Sequence, residues 1–203
     1  MNHYFTNNEN LKSEEKNIKV KIKDVELIFT TDNGVFSKKA LDFGTRTLLE
    51  NIPTLHGQVL DFGCGYGPIG IYIKKTNDVL VDMVDINKRS VNLAKKNALL
   101  NKVEVNIFES DIYSNVNKKY DFIITNPPIR IGKQKLYEIL FGAKDFLKEN
   151  GELWLVINKD QGAKSLVRDL EKTYEVEVIT KNKGFYIIKA LSRWQFDKTL
   201  LKL

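Results

Sequence analysis

Residues 58–70 read Gln58-Val59-Leu60-Asp61-Phe62-Gly63-Cys64-Gly65-Tyr66-Gly67-Pro68-Ile69-Gly70. A short apolar run, strand-like over 58–62, passes into alternating glycines, and a helical segment follows over 69–75. Glycines directly after a strand let the backbone turn sharply and let a ligand approach with no Cβ in the way. Strand, glycine turn and helix together are the opening unit of an α/β sheet.

The alternation continues downstream. Strands are expected over 79–84, 103–108, 120–125 and 151–158, with a helix over 87–100. Leu136, Ile139, Leu140, Ala143 and Leu147 line a second helical stripe, and Ala163, Leu166, Val167 and Leu170 a third. Such a chain builds a mostly parallel sheet with helices on both faces. The end departs from this rule. The apolar runs 174–180 and 185–191 are separated only by Lys181-Asn182-Lys183-Gly184. So short a link joins only antiparallel strands.

Upstream, 18–22 and 25–29 alternate with period two, which predicts a hairpin turning at Lys23-Asp24. A helix over 38–52 carries Leu41, Thr45, Leu48 and Ile52 on one face and stops at Pro53. Residues 1–17 are polar and read as a weakly anchored tail. The expected organisation is therefore a tail, β extension and helix over 1–57, packed on a single globular core over 58–203.

Carboxylates stand at the ends of the core strands. Asp61 precedes the glycine turn. Asp85 ends the second core strand, where it can accept hydrogen bonds from both hydroxyls of a ribose. Asp111 follows the third and offers an acceptor to an exocyclic adenine amine. Any one of them also fits a capping or loop aspartate. Three at successive strand ends, beside a glycine turn, point to an adenosine-type cofactor. A pyrophosphate prefers a helix N-terminus free of carboxylates, and Asp61 would repel it. S-adenosylmethionine carries an ammonium and a sulfonium, and an acid facing the loop suits that charge.

The fourth core strand runs into Asn126-Pro127-Pro128-Ile129. Proline fixes φ and lacks an N–H, and the residue before it is held extended. The turn thus presents two rigid acceptors, the Asn126 side-chain oxygen and the Pro127 carbonyl. They suit an incoming NH₂ group. Such an amine is a poor nucleophile while its lone pair is delocalised, and two acceptors favour the pyramidal form. A plain strand-ending proline turn, with Asn bonding its own backbone, is the alternative for this stretch alone.

These segments resemble those of class I S-adenosylmethionine-dependent methyltransferases. More narrowly they resemble the methyltransferase small domain family, and within it the enzymes that methylate N2 of guanine in 16S ribosomal RNA. The resemblance runs over about residues 25–191. It is carried by Gly34-Val35-Phe36-Ser37, Leu41-Asp42-Phe43-Gly44-Thr45, the stretch 59–67, Val84-Asp85-Ile86-Asn87, Ser110-Asp111-Ile112-Tyr113, Asn126-Pro127-Pro128-Ile129 and Gly184-Phe185-Tyr186. It implies a Rossmann-like methyltransferase sheet. It also implies that Asp61, Gly63 and Gly65 hold the methionine part of the cofactor, Asp85 the ribose, Ile86 the adenine face and Asp111 the adenine amine. Asn126 and Pro127 would hold the target amine.

With their neighbours, the candidate cofactor set is Asp61, Gly63, Cys64, Gly65, Gly67, Asp85, Ile86, Asp111 and Ile112. The candidate catalytic set is Asn126, Pro127, Pro128 and Ile129. Ile129 departs from the Tyr or Phe of related amine methyltransferases that act on DNA adenine or protein glutamine. Base stacking must then come from elsewhere. Some members of the resembled family carry two tandem methyltransferase-like domains. This sequence holds one, so RNA affinity is expected from its own surface or a partner.

Composition is consistent with these expectations. The chain has 203 residues, 32 Lys+Arg against 26 Asp+Glu and a net charge of +6. A basic balance favours anionic partners. Arg130, Lys133 and Lys135, just after the proline turn, are candidate phosphate contacts or a solvated helix start. Lys12, Lys16, Lys19, Lys21 and Lys23 are a second patch or an edge guarded by lysine. One cysteine and two histidines leave no disulfide framework and no soft metal site. Cys64, in the glycine loop rather than near the target, argues against a cysteine nucleophile. His3 and His56 read as surface residues, Trp154 as core, and Trp194 as a cover for the sheet end or, alternatively, a base-stacking residue. Phe36 is a candidate lid. No apolar run spans a bilayer and no secretory leader is evident, so a cytoplasmic location is expected. Ribosomal RNA or the small ribosomal subunit is the expected partner, and monomer and homodimer remain equally open. Protein glutamine and adenine N6 methylation, a non-catalytic RNA-binding module and a nicotinamide oxidoreductase are the competing classes. Basic balance and Ile129 oppose the first, and the intact acceptor and glycine motifs oppose the module. Asp61 and the terminal hairpin oppose the last.

Overall fold

The computed structural model describes residues 12–35, 37, 40–128 and 131–192. His3, Phe36, Ile129, Arg130, Arg193 and Trp194 lie outside the described residues. The glycine-bearing strand β3 (Gln58–Phe62) follows an N-terminal hairpin, β1 (Lys16–Ile22) and β2 (Val25–Thr31), and a helix α1 (Phe43–Asn51). After it come α2 (Pro68–Thr76), β4 (Leu80–Asp85), α3 (Lys88–Leu100), β5 (Asn106–Glu109), β6 (Tyr120–Thr125) and α4 (Lys133–Phe146). The chain then forms β7 (Leu147–Asn158), α5 (Ala163–Leu170), β8 (Glu175–Asn182) and β9 (Phe185–Leu191).

The main sheet has seven strands in the order β5-β4-β3-β6-β7-β9-β8. Strands β5, β4, β3, β6 and β7 pair in parallel, and β9 pairs antiparallel with both β7 and β8. This is the expected α/β sheet with its antiparallel C-terminal hairpin. Successive residues of a strand face opposite sides, so β3 feeds two cores. Val59 joins Leu48, Ile71, Met83 and Leu93 on the face covered by α1, α2 and α3. Leu60 joins Leu140, Leu153, Leu166 and Ile188 on the face covered by α4 and α5. β3 and β6 are neighbours, and the strand order reverses across them. Ligands bind open α/β sheets at such a switch, beyond the carboxyl ends of the strands.

The N-terminal hairpin buries Val20, Ile22, Leu27 and Phe29 against the first core. Two asparagines one turn apart, Asn97 on α3 and Asn101 at its C-cap, satisfy the free edge of β2. Asn97 accepts from Thr30 N at 2.7 Å and donates to Thr30 O at 2.9 Å. Asn101 accepts from Ile28 N at 3.1 Å and donates to Ile28 O at 2.8 Å. Each side-chain amide stands in for a peptide group of a missing strand, so buried backbone groups stay paired.

Several boundaries differ from the periodicity. Helix α1 begins at Phe43, not near residue 38, because Asp42 caps it by accepting from Thr45 N at 2.9 Å. The tail is anchored from Ser13 on. Asp32, itself beside Arg89, accepts from Ser13 Oγ at 2.8 Å and Glu14 N at 2.6 Å. β5 starts only at Asn106, since Val103 N still closes α3 on Ala98 O. Leu147, placed at the end of the α4 stripe, instead opens β7.

Candidate active site

Four loops meet at the carboxyl edge of β3, β4, β5 and β6. The glycine turn is tied to its neighbours by backbone bonds: Cys64 N donates to Val84 O at 2.9 Å, and Gly67 N to Cys64 O at 2.9 Å. Gly63 and Gly65 have φ of 70° and 55°, the left-handed region, and no atom lies within 4 Å of where a Cβ would be. Both therefore show bare backbone to open space, as a close-fitting ligand requires. Gly67 serves packing instead: a Cβ there would stand 2.8 Å from Ile71 Cδ1. Cys64 is buried, its Sγ near Gly65 O, and burial holds its thiol well above the ordinary range.

Asp61 is wholly buried at 0% exposure. Its Oδ2 accepts from Gly70 N at 2.8 Å, while its Oδ1 has no hydrogen-bond partner among the described residues. A buried acceptor without a partner is costly. Burial first, and the nearby Asp85 charge besides, push its carboxyl up to about 7. Asp85 braces the loop: its Oδ2 accepts from Gly65 N at 2.9 Å and its Oδ1 from Asn87 N at 2.8 Å. Burial raises it to about 6. Ile86 N also bonds this carboxylate, so one of its four lone-pair sites is left for a ligand hydroxyl. Ile86 beside it is partly exposed.

Ser110 N donates to Asp85 O at 3.0 Å, which brings the loop after β5 alongside Asp85. Asp111 on that loop is exposed, with Oδ1 3.6 Å from Lys135 Nζ. Lys135 is thus engaged with a candidate cofactor residue. Lys133 sits 4.9 Å from the Tyr137 ring centre. Ile112 adopts φ of 51°, a conformation a β-branched residue avoids. The Ser110 hydroxyl holds it there, donating to Ile112 O at 3.0 Å. Such strain collects at ligand clamps.

On the other side of β3, Thr125 Oγ1 donates to Phe62 O at 2.8 Å and ties the end of β6 to the glycine turn. Asn126 follows. Its Nδ2 donates to Asp42 Oδ2 at 3.0 Å and to Thr45 Oγ1 at 2.9 Å. Both amide hydrogens are spent on α1, and Oδ1 accepts nothing among the described residues. Pro127 is buried, and the Pro128 carbonyl accepts from Ile131 N at 3.4 Å. Residues 61, 63, 65, 85 and 126 thus converge on one edge, with 111 and 112 at its rim. Cys64 and Gly67 belong to the packing beneath it.

Three residues of the site carried no assigned role in the sequence. Asp42 and Thr45 orient Asn126. Tyr66 has a buried hydroxyl without a partner among the described residues, and burial together with the Asp42 charge holds that phenol above its ordinary range. The spacing Asp42-Phe43-Gly44-Thr45 was a legible capping signal, but its reach to Asn126 was not.

This is an α/β fold of the methyltransferase type, with a glycine turn, two buried carboxyl groups and a proline-bounded asparagine at its topological switch. The chain belongs to the methyltransferase small domain family, whose model matches residues 26–189. The uncharacterized protein YbxB of Bacillus subtilis is 43% identical over 195 residues, covering 93% of this chain and 97% of that protein. The ribosomal RNA small subunit methyltransferase C of Colwellia psychrerythraea is 34% identical over 191 residues, covering 89% of this chain and 52% of that protein. This chain therefore spans about half the length of that relative. Among solved structures, the T. thermophilus 16S rRNA N2 G1207 methyltransferase, in complex with AdoMet and guanosine, superposes with a TM-score of 0.79 at 24% identity. That match covers 90% of this chain and 52% of the other. The ribosomal protein L11 methylase of Lactobacillus delbrueckii superposes with a TM-score of 0.61 at 23% identity, covering 73% of this chain and 76% of that one. Both likenesses concern the fold.

Proposed function

We propose that this protein is a cytoplasmic S-adenosylmethionine-dependent methyltransferase acting on an exocyclic amine, the N2 of a guanine in small-subunit ribosomal RNA. One observation carries the reading: Asn126 spends both amide hydrogens on Asp42 and Thr45 and keeps its carbonyl oxygen unbonded among the described residues, at the strand end adjoining the glycine turn. The cradle fits the cofactor. The orphaned Asp61 Oδ1 suits an ammonium, the bare faces of Gly63 and Gly65 admit a close ligand, and Asp85 has a lone pair left for a ribose hydroxyl. Ile86 would pack on the adenine, and Asp111 would accept its amine. When bound, S-adenosylmethionine supplies an electrophilic methyl group on sulfur.

The protein's own part is orientation. Asn126 Oδ1 and the Pro127 carbonyl accept the two hydrogens of the target amine. That withdraws its lone pair from the ring and aims it. Pro127 and Pro128 keep the turn rigid and free of competing donors. The methylated nitrogen is strongly acidic, so water removes its proton and no side-chain base is needed. The relatives named for 16S or small-subunit ribosomal RNA, together with the basic balance of this chain, favour RNA guanine over protein glutamine.

The test is transfer of labelled methyl to small subunits and free 16S RNA from a strain lacking this gene, followed by digestion to nucleosides. Label in N2-methylguanosine is the expected result. Label in adenine or in protein would overturn the substrate while keeping the amine chemistry.

A further inference from the structure

The antiparallel β8–β9 hairpin sends its turn to the same sheet edge as Asn126. Phe185, the first residue of β9, is the register partner of Asn158, the last of β7. Lys183 and Gly184 make the turn with φ of 46° and 85°. Lys159 is fastened beside it, donating from its backbone N to Gly184 O at 2.7 Å. The turn also meets α1. The rings of Phe43 and Phe185 lie 5.7 Å apart, and Gly44 leaves room for Phe185, whose ring is 2.9 Å from where a Cβ would stand. Phe43 directly follows Asp42, the residue that holds Asn126.

Charge is uneven along this hairpin. At its far end Lys189 pairs with Glu177. At the turn, Lys159, Lys181 and Lys183 are exposed, and none pairs with a carboxylate among the described residues. Lys183 Nζ lies 5.1 Å from the Phe43 ring centre, and Lys181 Nζ 4.9 Å from that of Tyr186. Phe43 and Phe185 are both partly exposed. Unpaired cations beside partly exposed aromatic rings are what a single nucleic-acid strand requires: cations meet phosphates, and rings meet bases.

We infer that this corner, formed by Phe43, Phe185, Lys159, Lys181 and Lys183, receives the RNA strand adjoining the target nucleotide. The inference rests on RNA being the substrate. A base methylated at Asn126 has left its stack, so its neighbours are unstacked and have faces to offer. For base stacking the sequence offered only Trp194, which lies outside the described residues, and this aromatic pair supplies it, with Phe43 next to Asp42.

The test measures binding of a 16S RNA fragment to full-length protein across a range of salt. Lys181→Gln with Lys183→Asn removes both charges, and asparagine tolerates the left-handed turn position. The logarithmic salt slope should fall by about 1.4 for two lost phosphate contacts to single-stranded RNA, with about tenfold weaker binding near physiological salt. Phe185→Leu should weaken binding with the slope unchanged. The dissociation constant for S-adenosylmethionine should hold in all variants, which separates a surface defect from misfolding. Unchanged RNA affinity and slope in the lysine variant, with wild-type protein still forming N2-methylguanosine, would overturn this surface alone. A lysine-dependent slope with label in another base would support the surface and overturn the guanine assignment. Wild-type protein that binds no RNA would overturn both.

Discussion

Asp42 Oδ2 lies 3.0 Å from Asn126 Nδ2, and this contact decides which end of the Asn126 amide is left unbonded. A carboxylate only accepts, so the NH₂ end must turn towards it and the oxygen must turn away. Thr45 Oγ1 takes the other hydrogen. The orientation of the Asn126 amide is thereby set by Asp42 and Thr45, more than 80 positions away in sequence.

Asp42→Ala should therefore slow methyl transfer by about one to two orders of magnitude, the scale of a lost positioned hydrogen-bond partner. The variant also loses a helix cap worth about 1 kcal/mol. Asp42→Asn keeps an acceptor for both Thr45 N and Asn126 and should recover most of the rate. Single-turnover rates at saturating cofactor separate the two effects. Equal rates for both variants and wild type would remove Asp42 from the orienting role.

Asn126→Ala removes the acceptor itself. Transfer should fall by about two orders of magnitude or more, while the cofactor dissociation constant, read by calorimetry, stays within about twofold. A matching loss of cofactor affinity would place Asn126 in the cradle instead.

Asp61 governs the pH dependence. Burial pushes its folded carboxyl up to about 7, against an ordinary value of 3.8. Between these values the folded chain keeps a proton that the unfolded chain releases. This contribution to stability is thus full below about 4 and is lost as pH rises towards 7. Cofactor binding has the opposite sign, since an ammonium prefers the ionised carboxylate. Asp85, raised by burial to about 6, titrates in the same window, so affinity should rise between about pH 5.5 and 8, and Asp61→Asn should remove the upper part of that rise near 7 while the part near 6 stays. Thermal melts and calorimetric titrations across that range check both.

Asn97→Ala should loosen the N-terminal hairpin. It strips partners from Thr30 N, Thr30 O and Tyr66 O, all bonded to Asn97 within 2.9 Å. Buried groups left unpaired cost about 1–3 kcal/mol each, so denaturant melts should show a loss of about 3 kcal/mol or more. Tyr66 belongs to the glycine turn, so cofactor affinity should weaken as well.

Local chemistry made much of this protein legible in its sequence. Period-two and helical stripes, the glycine turn after β3 and the short Lys181–Gly184 link determined the α/β sheet and its final antiparallel pair, because each depends on neighbours along the chain. The glycines, Asp61, Asp85 and Asn126 were legible for the same reason: they lie at strand ends, where alternation itself brings residues to one edge. Tertiary structure alone decided which atoms of those residues are available. Asn126 shows its oxygen because α1 brings Asp42 and Thr45 against it. Asp61 keeps an orphaned oxygen because Gly70 takes the other. Gly67 and Cys64 are drawn into packing. Phe43 and Lys183 meet because an antiparallel strand returns its turn to the active edge. Hydrogen-bond partnership and burial are set by contacts between distant segments, and no local periodicity encodes them.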